Sequence, residues 1–212
     1  TIKKEDLSKL GGTVDNWFPV SRFLEGRLQT LINIRSQILP MPLEIEDSPV
    51  DRNPNGPLIC IARRSPRKGV DSAIRLAASL NRELILIGDQ DYEEIPYPVR
   101  GMGRSDRPTI RSMIAQASAC VLLSTPDSKG YHQEGLGLSL LEAASMGVPG
   151  IGSQCGGIPE ALGPGLRWTP TMDRDEVSDW IRDRQTGVRC WKWLRQHHGK
   201  TNCLRVLMGA MT

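Results

Sequence analysis

The chain has 212 residues, 39% hydrophobic and 24% charged, a globular balance that excludes a disordered or fibrous protein. That length supports one substantial core with an appendage and is too short for two full α/β domains. Lys plus Arg exceed Asp plus Glu by 27 − 24 = 3, too small an excess to call for nucleic acid, and no apolar run is long enough to span a membrane, so membrane contact is peripheral at most.

The N-terminus lacks a basic segment followed by an apolar stretch, and the chain opens on Thr1, the pattern of a fragment or a processed product. Five cysteines, Cys60, Cys120, Cys155, Cys190 and Cys203, make an odd set without a CxxC pair. That argues against a disulfide scaffold or zinc site and for a reducing, cytoplasmic setting. Cys60 and Cys120 fall inside apolar runs and read as inert buried thiols rather than nucleophiles.

Over residues 17–32, Phe18, Val20, Phe23, Leu24, Leu28, Leu31 and Ile32 recur at helical spacing, with Ser21 placed to cap the start. SQILPMPLE at 36–44 predicts a short strand, and the Pro-, Asp- and Asn-rich stretch after it predicts a linker over 43–57. LICIA at 58–62 is an apolar strand, and GVDSAIRLAASL puts Val70, Ile74, Ala77 and Leu80 on one helical face. ELILIGD, PTIRSMIAQAS, SACVLLST and LSLLEAASMG then alternate strand and helix before VPGIG. Strands apolar on both faces belong to a parallel sheet covered by helices. Right-handed crossovers make that sheet doubly wound and gather binding groups at the strands' carboxyl ends. From Asp173 onward two helical pieces are expected, the first with Val177, Trp180 and Ile181, the second near Trp191, Trp193 and Leu194.

The loop ARRSPRKG at 62–69 sets Arg63, Arg64, Arg67 and Lys68 between a buried strand and a helix N-terminus. Free amides and the helix dipole already favour an anion there, so added cations suit a multiply charged phosphate, although a solvated basic turn is the plainer alternative. YHQEGLGLSLLEAASMGVP at 131–149 joins a glycine-bearing loop to a helix with Glu134 before it and Glu142 inside it. On one continuous helix these acids would stand ~12 Å apart along the axis and ~80° around it, too far for a shared proton. They suit two separated hydroxyl-bearing parts of an extended ligand, with Gly135 and Gly137 admitting backbone amides to a phosphate between them. Taken singly, Glu134 also reads as a helix N-terminal acid and Glu142 as a solvated one, but Leu140, Leu141, Ala143 and Ala144 leave Glu142 little polar face.

GGIPEAL at 156–162 reads as a glycine turn with Pro159 and Glu160 in a first helical turn, explicable by structure alone. Gly101 and Gly103, just past a short strand, form a weak signal for a loop against a planar base. His132 borders the Glu134 loop, and His197 and His198 sit in a basic stretch. No cluster has metal-ligand spacing, and no GxSxG elbow or P-loop occurs.

These residues resemble the nucleotide-sugar domain of family 4 retaining glycosyltransferases, of the two-domain GT-B kind. ICIARRSPRKGVDSAI, ELILIGD and EGLGLSLLEAASMGVPGIGSQCGGIPE match its motifs in order, covering about residues 55 to 165. The resemblance implies an α/β, Rossmann-like doubly wound parallel sheet, one GT-B half with a remnant of the other. Residues 1–45 would end the N-terminal acceptor domain, 46–172 would bind the nucleotide sugar, and 173–212 would cross back toward the missing acceptor domain.

By the same resemblance, Arg63 and Lys68 neutralise the donor diphosphate, Glu134 holds sugar hydroxyls and Glu142 holds the ribose. Amides from Gly135 through Leu136 and Gly137 to Leu138 support sugar and phosphate, and Gly103 and Arg104 lie by the base. Ala62 departs from the family's usual Gly. The implied reaction moves a sugar from a UDP- or GDP-sugar donor to a saccharide or lipid-linked acceptor hydroxyl, with retention and with neither cofactor nor metal. It would take place in the cytoplasm or at the inner face of the membrane. The competing readings are a non-catalytic nucleotide-binding module serving a partner protein, a GT-B-type epimerase, and, weakest, a dinucleotide-dependent dehydrogenase, whose glycine triplet is missing.

Overall fold

The computed structural model describes residues 14, 16–88, 98–127 and 133–210. Helix α1 (Arg22–Ile32) precedes an irregular stretch, after which strands and helices alternate. Strand β1 is Leu58–Ile61, α2 Val70–Ser79, β2 Leu84–Ile87, β3 Val99–Gly101, α3 Arg107–Gln116 and β4 Ala119–Leu122. Then come α4 Leu138–Ser145, β5 Gly150–Gly152, α5 Ile158–Leu162 and β6 Leu166–Arg167. Helices α6 (Arg174–Arg182), α7 (Arg184–His198) and α8 (Lys200–Ala210) close the chain.

The six strands form one sheet in the order β3-β2-β1-β4-β5-β6, and every adjacent pair is parallel. Register explains why continuous apolar runs were needed. Leu58 pairs with Leu84 and Ala119, and Ile59 with Ile85 and Cys120. The first set packs into the core on one face of the sheet and the second into the core on the other. Each fully buried Leu or Ile contributes roughly 1.5–3 kcal/mol before the entropy of ordering it. Replacing one residue in these strands with a charge would therefore spoil one of the two layers.

The strand order reverses between β1 and β4, so the loops leaving their carboxyl ends diverge to opposite faces and open a crevice there. Gly69 ends the β1 loop with φ 65°, and a Cβ on it would lie 1.8 Å from the carbonyl oxygen of Leu123. A side chain is sterically barred at the point where the two loops touch.

Three expectations are corrected. Residues 36–44 form no strand: the amides of Gln37 and Leu39 donate to the carbonyls of Trp17 and Pro19, but Pro40 and Pro42 supply no donor and the pairing stops. The C-terminal segment is three helices rather than two, because Asp183 leaves helical geometry (ψ 108°) and caps α7, and Gly199 is extended at its end. Gly101 lies within β3, so of the two glycines only Gly103 belongs to the following loop.

Candidate nucleotide-sugar site

The crevice is a cleft of roughly 550 Å3 lined by Arg63, Ser65, Pro66, Arg67 and Lys68 from the β1 loop and by Ser124, Thr125, Gln133 and Glu134 from the β4 loop. A short 3-10 turn over Pro66–Lys68 turns the first loop inward. The second is tied to it by the amide of Thr125, which donates to the carbonyl of Arg67 at 2.8 Å.

Lys68 Nζ donates to Glu134 Oε2 at 2.6 Å, and Ser124 Oγ donates to the same oxygen at 3.3 Å. The Lys68 side chain is 31% exposed and that of Glu134 17%, so the pair is only partly shielded from water and lines the cleft. Arg63 and Arg67 are exposed and form no ion pair among the described residues. The site thus holds one satisfied cation–anion pair and two further cations, an excess of positive charge suited to a diphosphate.

Helix termini add to that field. Helices α1, α3, α6 and α7 start on Ser21, Asp106, Asp173 and Asp183, whose side chains accept first-turn amides. Helices α2 and α4, which follow the two crevice loops, start on Gly69 and Gly137 without a side-chain cap. Their positive ends are left for another acceptor. Gly135, Leu136, Gly137 and Leu138 lead from Glu134 into α4, Gly137 with φ 94°, so Glu134 stands in a loop ahead of the helix.

That loop is propped from beneath. Gly157 donates its amide to the carbonyl of Glu134 at 2.8 Å. Cβ atoms on Gly156 and Gly157 would fall 2.1 and 2.2 Å from the carbonyl oxygens of Glu134 and Gly135.

Not every predicted residue meets at the cleft. Arg64 is not among the cleft-lining residues and lines a neighbouring, smaller depression with Ser65, Pro66, Val70 and Asp71. Glu142 is half-buried one turn inside α4 and is not among the cleft-lining residues; the charges of Arg107 and Arg111 on α3 act on it. Burial pushes its carboxyl above the ordinary glutamate range, and those two arginines oppose the shift. Gly103 (φ 56°) and Arg104 precede α3, and the carbonyl of Gly103 accepts from the amide of Gly88, joining the β2 and β3 ends. His132 lies outside the described residues.

Ser124, Thr125 and Gln133 were missed; the Ser-Thr pair ending an apolar strand at the switch point was the available signal. Cys60 is fully buried, its thiol pushed up to about 12 by burial, and burial raises Cys120 as well. Neither is a nucleophile at neutral pH.

The family model for glycosyl transferases group 1 matches residues 56–183, more than half of the chain. The chain belongs to that family. A GDP-mannose-dependent monoacylated alpha-(1-6)-phosphatidylinositol monomannoside mannosyltransferase of Corynebacterium glutamicum is 27% identical, over 76% of this chain and 50% of that protein. Among solved structures, TarM of S. aureus has TM-score 0.78 at 13% identity, covering 99% of this chain and 46% of TarM. Anabaena HepE, in complex with UDP and glucose, has TM-score 0.73 at 16% identity, covering 99% of this chain and 67% of HepE. These likenesses agree with a Rossmann-like fold of the GT-B kind. The chain spans about half the length of the curated relatives it matches.

Proposed function

We propose that this chain is the donor-binding half of a retaining glycosyltransferase that moves a hexose from a nucleoside diphosphate sugar to an acceptor hydroxyl. The observation that carries the reading is the meeting of Lys68 and Glu134 in one cleft at the switch point of the sheet. A diphosphate laid along the β1 loop would face Arg63, Lys68 and the open ends of α2 and α4, and its sugar would face Glu134. The nucleoside would run along α4 toward Glu142 and the loop of Gly103 and Arg104. In the reaction the bond between the anomeric carbon and the diphosphate oxygen breaks, and the acceptor oxygen bonds that carbon from the same face as its proton passes to the departing diphosphate. The charge developing on the diphosphate is what Arg63, Lys68 and the helix amides stabilise.

GDP-mannose is the first donor to test, since the curated relatives are named for it, with UDP-glucose as the contrasting probe. The phosphatidylinositol monomannoside in the relatives' names makes a lipid-linked saccharide the first acceptor class to test, and the setting proposed with it is the cytoplasm, at the membrane's inner face. The acceptor would be held largely by a further half, by analogy with the longer relatives. Calorimetric titration of the purified chain with GDP, UDP, GDP-mannose and UDP-glucose tests the donor site. Saturable binding of a nucleotide sugar supports the proposal, and no binding of any of the four overturns it.

A further inference from the structure

We propose that Glu160 is a positioning residue for the donor's sugar, locking helix α1 against the loop that carries Glu134. The proposal rests on the donor reading above. Its local sequence context shows only an acid in the first turn of a short helix, yet its partners lie far off. The two carboxylate oxygens accept the amides of Arg22 and Phe23, each at 2.8 Å, across 138 and 137 positions of sequence. The next amide, of Leu24, goes to Ser21 Oγ at 3.1 Å. The first three amides of α1 are therefore all satisfied, two of them by a charge from α5, which also suits the positive end of the helix.

Ser21 carries the lock to the donor loop. It is 1% exposed, and its hydroxyl donates to the carbonyl of Gly135 at 2.7 Å. The residue after Glu134 is thereby held from above, while Gly157, three residues before Glu160, holds the Glu134 carbonyl from below at 2.8 Å. The circuit closes: α5 grips α1, α1 grips Gly135, and the turn that starts α5 supports Glu134. A carboxylate held to a few tenths of an ångström is what recognition of sugar hydroxyls demands. The cations proposed for the diphosphate, Arg63 and Lys68, come from the other loop, and the open end of α4 starts at Gly137, two residues past the Gly135 carbonyl that Ser21 holds.

Glu160 should therefore govern the extra affinity that the sugar adds rather than the affinity for the nucleotide. The experiment compares GDP with GDP-mannose by calorimetry on the wild-type chain, Glu160→Ala, Glu160→Gln and Ser21→Ala. UDP and UDP-glucose replace them if the wild type prefers uridine, and thermal melts run alongside. The expected result is GDP affinity within about twofold of wild type and an affinity ratio of GDP-mannose to GDP reduced about tenfold in Glu160→Ala. Glu160→Gln falls between, because an amide accepts from one N–H and opposes the other. The double variant with Ser21→Ala should lose little more than Glu160→Ala alone, because both cut one circuit.

A purely structural role would lower the melting temperature and leave that ratio unchanged. Folded variants with the wild-type ratio overturn this inference alone. Failure of the wild-type chain to bind any nucleotide sugar overturns the donor reading and this inference with it. If Glu160→Ala does not fold, Glu160→Gln and Ser21→Ala decide.

Discussion

Lys68 and Glu134 come from loops 66 positions apart and meet Nζ to Oε2 at 2.6 Å, so one of the cleft's cations is paired with the cleft's own carboxylate. A bound diphosphate would share that ammonium and also face the carboxylate's charge. Lys68→Ala is expected to weaken binding of GDP or UDP about tenfold or more, the scale of losing a charge-assisted hydrogen bond. Glu134→Gln should act in opposite directions on two ligands: free nucleoside diphosphate binds about threefold tighter, as one partly solvated repulsion is relieved. The added affinity from the sugar falls. Calorimetry on both variants checks this, and weaker binding of free diphosphate by Glu134→Gln would contradict the placement of the carboxylate.

Gly69 stands where the two crevice loops touch. With φ 65° and a would-be Cβ 1.8 Å from the Leu123 carbonyl oxygen, Gly69→Ala meets backbone strain and overlap together. Unfolding stability should fall by about 3 kcal/mol or more. Urea denaturation reads this directly, and a loss under about 1 kcal/mol would mean the loops separate easily.

Much of this architecture could be read from residue pattern, because buried strands leave a local mark: LICI, LILI and ACVL carry no polar side chain, and Ser21 caps α1 as its position predicts. The apolar stretch at 36–44 misled for the converse reason, since composition resembles a strand while the prolines deny it donors. Lys68 and Glu134 were legible as chemistry, as a cation before a helix and an acid before a glycine turn, and their contact required the topology. Glu160 was illegible as more than a first-turn acid because its partners are amides on a distant helix, and no local spacing encodes such a contact.

Arg52 ties the irregular stretch before β1 to the body of the fold. It is 3% exposed, with one guanidinium nitrogen donating to the carbonyl of Ser118 at 3.1 Å and another to that of Asp183 at 2.7 Å. Burial lowers its pKa, with the neighbouring charge of Arg184 acting the same way. Arg52→Ala should cost about 3 kcal/mol, since two carbonyls lose charged donors and the stem leaves a void. Arg52→Lys should recover little of it, because one ammonium cannot span two acceptors served by a planar fork. Thermal melts of the two variants, both clearly below wild type, are the expected outcome.

Glu142 supplies the pH test. Its pKa is raised in the folded chain, chiefly by burial, so the folded state binds the proton more tightly than the unfolded state. Its contribution to stability is therefore fully present below the unfolded glutamate value and is lost as pH rises through the raised folded value. Glu142→Gln should consequently gain stability over wild type at neutral pH and show no such gain below the ordinary glutamate range. Ribose hydroxyls donating to the carboxylate would stabilise its ionised form, so nucleotide binding just above that range should release a proton. Calorimetry at that pH in buffers of different ionisation enthalpy would detect it. The same variant should bind nucleotide about tenfold more weakly at neutral pH, because an amide offers the ribose hydroxyls one acceptor oxygen in place of two. Unchanged affinity together with no proton release would move the ribose away from α4.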